Sequence, residues 1–292
     1  MATQGIDVSI WQGYNIDFNK VKAAGINFVI LRAGFGKYIS QKDPTFETNY
    51  KKAKAAGLNV GAYWYSYAGT DTRLSNAQGE ADAKREAEIF LEAIKGKTFE
   101  MPLYFDLEER TQFNRGAAYC SKITEIFCGA LEKAGYFAGL YISRAPLQQY
   151  INANTAKKYA LWIAEYNSKC NYGGAYGIWQ NTSTFRVNGT SGNIDHDFCY
   201  VDYPKIIKNG GFNGYPKPKA EEKPKTETKT ENKTQNTAAK PAEEKTKTES
   251  KTETKASTEY ERGDVNGDGK INITDVVQLA AHVKGKKLLK NK

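Results

Sequence analysis

Apolar and polar positions alternate along the chain in blocks that predict strands followed by helices. Short runs rich in β-branched and aromatic residues predict strands, and residues 27–34 (NFVILRAG) are apolar enough for a strand covered on both faces. Segments between these runs carry apolar residues at helical spacing and end at Gly57 or Gly135, which are typical helix stops. The predicted strands are 5–10, 27–34, 60–67, 101–109, 137–143, 160–166, 174–181 and 193–201, and the predicted helices are 17–24, 43–57, 77–94, 116–134 and 146–152.

This order of elements predicts an α/β barrel. Strands that alternate with helices at this spacing lie parallel, with the helices outside, and eight of them would close a TIM-type barrel. After the sixth strand the links become too short for helices, and strands joined so tightly are not parallel neighbours. We therefore expect an irregular, incomplete (β/α) barrel, smaller than the roughly 250 residues usual for that fold.

The composition divides the chain into three parts. Hydrophobic residues make up 40%, as in a globular protein, but the mean hydropathy is −0.65, which indicates that a very polar segment is attached. Residues 216–262 are almost entirely Lys, Glu, Thr, Pro, Asn and Ala, and they predict a disordered, hydrated spacer because almost nothing apolar offsets the ordering entropy. We expect a barrel over 1–212, a disordered linker over 213–262 and a small α-helical calcium-loop module over 263–292.

Charge and cysteine content exclude several partners and sites. The net charge is +9, but lysines are spread without aromatic interleaving, so nucleic acid is not expected, whereas an anionic polymer such as a bacterial cell wall would attract the chain. No apolar run is long enough to span a membrane, and the first residues lack signal-peptide features, so export would use a removed signal or another route. Cys120 and Cys128 are too far apart on one helix to bridge, while Cys170 and Cys199 either pair or remain thiols.

Two acids stand at the end of the predicted strand 101–109. Side chains alternate across a strand, so Asp106 and Glu108 project to one face, and Phe105 and Leu107 project to the other. Burial of a carboxylate costs several kcal/mol unless it is paired or neutralised. The segment alone is compatible either with a strand that ends in solvated acids or with a catalytic pair.

The barrel brings more polar groups to the same rim. Active sites of such barrels lie at the carboxyl ends of the strands, where Asp7 and Asp195 are also expected. Clustered acids raise each other's pKa, so one of them can hold a proton near neutral pH while another is ionised, as glycosidic cleavage requires. Aromatic residues at these ends suit the C–H faces of sugar rings, and they are Trp11, Tyr63, Tyr65, Tyr141, Trp162, Tyr166 and Trp179.

Other hydrolytic chemistries lack their residues. The barrel segment has a single histidine, His196, and no Gly-x-Ser-x-Gly, which argues against a Ser–His–Asp site. No pair of histidines supports a zinc hydrolase. Because His196 is adjacent to Asp195, we expect it to face the opposite side of the strand, in a structural role or at the rim.

The motifs in residues 5–203 closely resemble those of the glycoside hydrolase family 25 muramidases, or Chalaropsis-type lysozymes. The matching segments are GIDVS from residue 5, WQG from 11, FVILRAG from 28, GAYWY from 61, YFDLE from 104, GLYIS from 139, LWIA from 161, IWQ from 178 and GNID from 192. They follow the family's order and cover nearly the whole predicted barrel. The resemblance implies an incomplete barrel that hydrolyses the β-1,4 bond between N-acetylmuramic acid and N-acetylglucosamine in peptidoglycan, outside the cell or at the wall.

The resemblance also implies roles for individual residues. Glu108 would be the general acid, Asp106 would assist it, and Asp7 and Asp195 would complete the acidic pocket, with no cofactor. The family retains anomeric configuration, and either a carboxylate or the substrate's acetamido group could attack. Asp197 is a second candidate for the last acid, expected one rung further out than Asp195. The expected substrate-binding residues are Tyr63, Tyr65, Tyr141, Trp162, Tyr166 and Gln180. The alternative is an inactive barrel that only binds peptidoglycan.

The tail carries a calcium-loop pattern. Oxygen-bearing side chains occupy loop positions 1, 3, 5, 9 and 12, and Gly269 stands at position 6, where such loops turn sharply. The expected Ca²⁺ ligands are Asp264, Asn266, Asp268, Lys270 (through its carbonyl), Asn272 and Asp275. Residues 263–285 resemble one repeat of a dockerin, which implies a cohesin domain as a possible partner. Dockerins normally carry two such repeats, whereas residues 263–292 hold one.

Overall fold

The computed structural model describes residues 2–217, which form an eight-stranded barrel with outer helices. The strands are β1 Thr3–Val8, β2 Phe28–Phe35, β3 Asn59–Tyr65, β4 Leu103–Asp106, β5 Ala138–Ser143, β6 Ala160–Ala164, β7 Ile178–Phe185 and β8 Ile194–Cys199. The helices are α1 Phe18–Ala23, α2 Phe46–Ala55, α3 Asn76–Ala93, α4 Arg110–Phe113, α5 Ala117–Lys133, α6 Arg144–Tyr150, α7 Ala153–Lys158 and α8 Tyr203–Gly210. Short 3₁₀ turns span Ile10–Gln12 and Ile39–Gln41.

The strands follow chain order around the barrel, and the last strand is reversed. Strands β1 to β7 are parallel neighbours, whereas β8 pairs antiparallel with both β7 and β1. The α/β class and the irregular last third are therefore confirmed. The prediction of an incomplete barrel is wrong for the sheet, because β8 closes it. Neither the link from β6 to β7 nor the link from β7 to β8 contains a helix. The expectation that strands joined so tightly are not parallel neighbours is confirmed for β7 and β8 but wrong for β6 and β7, which pair in parallel.

Alternation along each strand separates two apolar layers. Outward side chains such as Trp64, Phe105 and Leu107 pack beneath α3 and α5 in one buried cluster. Inward side chains form a second cluster that contains Tyr104 and Trp162 and fills the barrel. Gly139 on β5 makes room for this filling, since a Cβ there would lie 2.4 Å from the ring of Tyr104.

The lower end of the barrel, opposite the carboxyl ends of the parallel strands, is closed by the residues after α8. Asn213 adopts the left-handed conformation with φ of 54° and is fully buried. Its side chain accepts a 2.7 Å hydrogen bond from the backbone N–H of Phe137 and donates one of 2.9 Å to the carbonyl of Met101. The hydroxyl of Tyr215 donates to Glu100. The barrel thus continues past residue 212, and the linker boundary predicted at 213 is too early.

Element positions agree with the predictions to within a few residues, apart from short helices. The sequence patterns did not predict α4, α7 or α8, and each of these has at most 8 residues.

Cys120 and Cys128 are buried in α5, and the thiol of Cys199 donates a hydrogen bond to the carbonyl of Val201. Within residues 2–217, no helix combines the length and apolarity needed to cross a bilayer. The predicted linker over 213–262 lies almost wholly outside the described residues, and the predicted calcium loop lies entirely outside them.

Candidate active site

A cleft of about 230 Å³ opens at the carboxyl ends of the parallel strands. Its walls combine acids, aromatic rings and one guanidinium group. The lining residues are Asp7, Trp11, Arg32, Tyr63, Tyr65, Asp106, Glu108, Tyr141, Trp162, Tyr166, Gln180 and Asp195. All four acids predicted for the site, and all six predicted substrate-binding residues, therefore line one cavity.

Strand pairing places Asp7 opposite Asp195. The two residues are register partners in the antiparallel pair β1–β8. Asp195 therefore reaches the rim from the amino end of β8, and the expectation that it stands at a carboxyl end is wrong because β8 is reversed. The same reversal corrects the expected place of Asp197, which pairs with Gly5 and lies deeper in the barrel than Asp195.

Asp106 and Glu108 project into the cleft at different depths. Asp106 is the last residue of β4 and is 3% exposed, whereas Glu108 lies beyond the strand and is exposed at the rim. Phe105 and Leu107 face the outer layer, as alternation predicts. Burial, with the Glu108 charge added, raises the pKa of Asp106 well above its usual range. Partial burial and the charges of Asp195 and Glu109 raise the pKa of Glu108, and a nearby Tyr141 hydroxyl opposes the rise.

Of the described residues that line this cleft, Arg32 alone carries a positive charge. The sequence patterns did not indicate it as a site residue. Its Nε donates a 2.8 Å hydrogen bond to Oδ2 of Asp43, which is itself fixed by the backbone N–H groups of Ile10 and Thr45. The guanidinium charge opposes the upward shift in the pKa of Asp106. The signal in the sequence was a charged residue inside the otherwise apolar strand β2.

Gln180 links the acidic and aromatic walls. Its Nε2 donates a 2.8 Å hydrogen bond to Oδ2 of Asp7. Its Oε1 accepts hydrogen bonds from the hydroxyls of Tyr141 at 2.8 Å and Tyr166 at 3.1 Å. The amide therefore fixes one oxygen of Asp7 and the orientation of two rings. Burial, with the charges of Asp197 and Asp195 added, raises the pKa of Asp7 well above its usual range.

The aromatic residues divide into a buried floor and an exposed rim. Trp162 is buried, with its ring centroid 4.4 Å from that of Tyr141 and 6.0 Å from that of Tyr63. Trp11 is 84% exposed and Tyr166 is 59% exposed, so both offer ring faces to a ligand. Trp179 does not line the cleft; its ring stacks on Phe198.

Two further side chains clarify the site. Glu109, which sequence reasoning did not select, accepts a 2.9 Å hydrogen bond from the hydroxyl of Tyr65. His196 is buried on the opposite face of β8 from the cleft, where its ring nitrogens lie 2.7 Å from Oδ1 of Asn181 and 3.1 Å from Oε1 of Gln4. The predicted orientation of His196, away from Asp195, is confirmed. Within residues 2–217, no group of three or more His, Cys, Asp or Glu residues is arranged to hold a metal ion.

A second cavity of about 380 Å³ shares Glu108, Tyr141 and Tyr166 with the cleft. Its other walls are mainly apolar, from Leu107, Phe113, Pro146 and Ala164, with Ser143 and Glu165 as polar members. Arg144 pairs with Glu165 at 2.9 Å. Glu108 therefore stands between two adjoining cavities.

The fold and the site define a barrel protein whose carboxyl groups, at unequal depth in an aromatic cleft, match the requirements of glycosidic bond cleavage. The sequence profile of glycosyl hydrolases family 25 matches residues 6–190, and the chain belongs to that family.

Relatives and solved structures agree with this assignment. The autolytic lysozyme of Clostridium acetobutylicum is 31% identical over 195 residues, which is 66% of this chain and 55% of the relative. The chain thus spans about half the length of that protein. The modular autolysin LytC from Streptococcus pneumoniae, solved with a synthetic peptidoglycan ligand, is 26% identical with a TM-score of 0.58, and the match covers 68% of this chain and 47% of LytC. A bacterial lysozyme from Streptomyces coelicolor shares the fold at 22% identity and a TM-score of 0.58, over 73% of this chain and 98% of its own.

Proposed function

We propose that the protein is an N-acetylmuramidase, which cleaves the β-1,4 bond between N-acetylmuramic acid and N-acetylglucosamine in peptidoglycan with retention of configuration. The observation that carries the proposal is the pairing of Asp106 and Glu108 on one face of β4 and its extension, at different depths in a cleft shared with Asp7 and Asp195. Family membership and the names of the relatives, an autolytic lysozyme and an autolysin bound to a peptidoglycan ligand, support this substrate.

Glu108 is the general acid of the proposed reaction. It is the more accessible of the paired acids, and its raised pKa lets it keep a proton to higher pH than an ordinary glutamate. The proton passes from the Glu108 carboxyl group to the glycosidic oxygen as the bond to the anomeric carbon breaks. The two cavities that share Glu108 support this role, since they offer space for saccharide units on both sides of the bond.

The remaining acids stabilise the positive charge that develops on the sugar ring. Asp106 lies deeper than Glu108 and orients the substrate's N-acetyl group or supplies negative charge beside it. Asp7 and Asp195 complete the negative wall. A cluster of this kind favours an oxocarbenium-like transition state over the neutral ground state, since carboxylates act strongly where water is excluded.

Retention follows from two displacements at the same carbon. Either a carboxylate or the substrate's own acetamido oxygen attacks first, and water then completes the reaction with Glu108 acting as the base. Trp11 and Tyr166 are placed to cover the sugar rings, and Tyr63, Tyr65, Tyr141, Trp162 and Gln180 shape the cleft beneath them.

Product analysis tests the proposal directly. Purified peptidoglycan is digested with the full chain, new reducing ends are reduced with borohydride, and the products are identified by mass spectrometry. A muramic acid end is expected, and ¹H NMR should show the β anomer forming first. A glucosamine end would overturn the bond assignment. Saturable binding without new ends would instead favour a barrel that only binds the wall.

A peptidoglycan substrate places the protein outside the cell or at the cell wall. We further propose that residues 263–292 bind Ca²⁺ through the side chains of Asp264, Asn266, Asp268, Asn272 and Asp275 and the carbonyl of Lys270. Those oxygens fit the preference of Ca²⁺ for hard ligands. A cohesin domain is the proposed partner of this module.

A further inference from the structure

Asp197 is a fully buried acid that the proposed reaction does not use. It is 0% exposed on β8, below Asp195 and next to Gln180 on β7. Its Oδ1 accepts a 2.7 Å hydrogen bond from the indole N–H of Trp162, and its Oδ2 is buried with no N–H or hydroxyl donor. Burial of a carboxylate with one oxygen unpaired costs free energy. Asp197 therefore requires a proton of its own or a neighbouring partner that donates one.

Asp7 is that partner. The two residues lie on the same inward face, diagonally across the β1–β8 pair, since Asp197 is opposite Gly5 and Asp195 is opposite Asp7. Each affects the pKa of the other: the Asp197 charge raises the pKa of Asp7, and a hydrogen bond with Asp7 lowers the pKa of Asp197. Each also receives one N–H donor, from Gln180 on Asp7 and from Trp162 on Asp197.

We propose that Asp197 is a positioning residue for Asp7, and that their two carboxyl groups share one proton, so the pair carries a single negative charge on the floor of the cleft. A shared proton gives the unpaired Oδ2 of Asp197 a hydrogen-bond partner and removes one of two adjacent buried charges. The role in hydrolysis rests on the proposed muramidase function, whereas the shared proton itself does not.

The surroundings favour this protonation state. The other titratable groups near the pair are Asp195, Asp106, Tyr63, Tyr104, Tyr141 and Tyr166. All of them are neutral or negative. Arg32, the cation that lines the cleft, is paired with Asp43, and its charge lowers the pKa of Asp106. If both carboxyl groups of the pair were ionised, their two charges would lack a compensating cation. A single charge is stabilised by the two N–H donors, Trp162 and Gln180.

The consequence is a carboxyl group with a fixed orientation. Trp162 donates to Asp197, and Gln180 donates to Oδ2 of Asp7 while it accepts from the hydroxyls of Tyr141 and Tyr166. The shared proton joins Asp197 to Asp7. A chain of hydrogen bonds thus connects the barrel floor with the wall next to Glu108. Asp7 presents one oriented negative group to the substrate.

A count of charges tests the shared proton without reference to activity. Capillary electrophoresis at pH 7 compares the parent with D197N, with the double variant D7N/D197N, and with D71N, in which an exposed aspartate with a pKa of about 2 loses its charge. If the pair holds one proton, D197N migrates like the parent, because the charge simply remains on Asp7. The double variant then moves by the same step as D71N.

Other outcomes overturn the proposal. A step in the double variant twice that of D71N would mean that both carboxyl groups are ionised in the parent, and no step in the double variant would mean that both are protonated. Because these results do not depend on hydrolysis, they separate this proposal from the proposed function. Thermal melting curves identify variants that fail to fold; if D197N does, D197S takes its place.

The pH profile tests the positioning role. In D197A, Asp7 loses a hydrogen-bond donor, so its ionised form is less stable and the acid limb of kcat/KM should move to higher pH by about one unit. D197N should shift the limb less, because its amide still donates to Asp7. A limb that moves to lower pH in D197A would show that Asp197 was a repelling charge and would overturn the assignment.

Discussion

The hydroxyl of Tyr65 donates a 2.9 Å hydrogen bond to Oε1 of Glu109, the residue next to the proposed general acid. The adjacent acids Glu108 and Glu109 differ in position, because Glu108 lies on the cleft wall and Glu109 does not line the cleft. The pair offers a matched test of which carboxyl group carries the reacting proton.

We predict that Glu108→Gln lowers the release of reducing ends from peptidoglycan by about 10²–10⁴-fold, the usual contribution of a positioned general acid. Glu109→Gln keeps most of the activity, because its carboxyl group does not line the cleft. Reducing-sugar assays and melting temperatures of both variants check this. Full activity in folded E108Q, or an equal loss in both variants, would contradict the assignment of Glu108.

Arg32 is expected to set the acid limit of activity through Asp106. Its charge lowers the pKa of Asp106, so Arg32→Gln should raise that pKa, and Asp106 then ionises only at higher pH. The acid limb of kcat/KM should move to higher pH by about one unit or more. Arg32→Lys keeps the charge and serves as the control, with the limb nearly unchanged. A shift toward lower pH in R32Q would contradict this role.

Glu86 is expected to make folding stability depend on pH. The side chain is buried in α3, where it accepts hydrogen bonds from the hydroxyl of Ser66 and the backbone N–H of Tyr67, and burial raises its pKa to about 8. In the unfolded chain it ionises near pH 4.5, so between these values unfolding releases a proton. The contribution to stability is fully present below pH about 4.5 and is lost as pH rises toward 8.

This loss amounts to at most about 1.4 kcal/mol per pH unit. Glu86→Gln cannot ionise, so its free energy of unfolding should fall less steeply from pH 5 to pH 8 than that of the parent. Urea denaturation at several pH values measures both slopes. Parallel curves would show that Glu86 is ionised in the folded state.

Asn213 is expected to be a major stabilising residue of the lower end of the barrel. Asn213→Ala leaves the N–H of Phe137 and the carbonyl of Met101 without their partners and forces alanine into a left-handed conformation. We expect a loss of about 2–5 kcal/mol in the free energy of unfolding. Asn213→Gly loses the same hydrogen bonds but tolerates the conformation, so it should be about 1 kcal/mol more stable than N213A. Denaturant curves compare the variants, and a neutral N213A would contradict the role.

Calcium is expected to bind the tail. Titration of the full chain with Ca²⁺ should raise its helical circular dichroism and release or absorb heat in calorimetry, and a chelator should reverse both effects. Replacement of Asp264 and Asp268 by Ala removes two proposed ligands and serves as the control. An unchanged spectrum at millimolar Ca²⁺ would count against the site.

The strand positions and the inward direction of Asp106 and Glu108 could be predicted because both depend on local periodicity. The direction of β8 could be inferred only in part. The short link excluded a parallel neighbour, but the resulting depths of Asp195 and Asp197 depend on register with β1, which is a contact between residues nearly two hundred positions apart.

The same limit explains the residues that sequence reasoning did not select. Arg32 becomes part of the site because Asp43, on a different loop, anchors its side chain. Asn213 follows α8 and is a residue type common in linkers. Its side-chain amide nevertheless closes the barrel, because it binds backbone groups just before β4 and β5. No local pattern encodes such pairings, since both partners are ordinary polar residues until the fold brings them together.

The closure of the lower end has a practical consequence for attachment. Asn213 and Tyr215 bind residues at the amino ends of the parallel strands, and the cleft opens at the carboxyl ends. The described chain therefore leaves the barrel at the pole opposite the cleft. An affinity handle, fluorophore or solid support joined just after residue 217 is anchored away from the cleft, which makes this position suitable for immobilising the barrel with its cleft accessible.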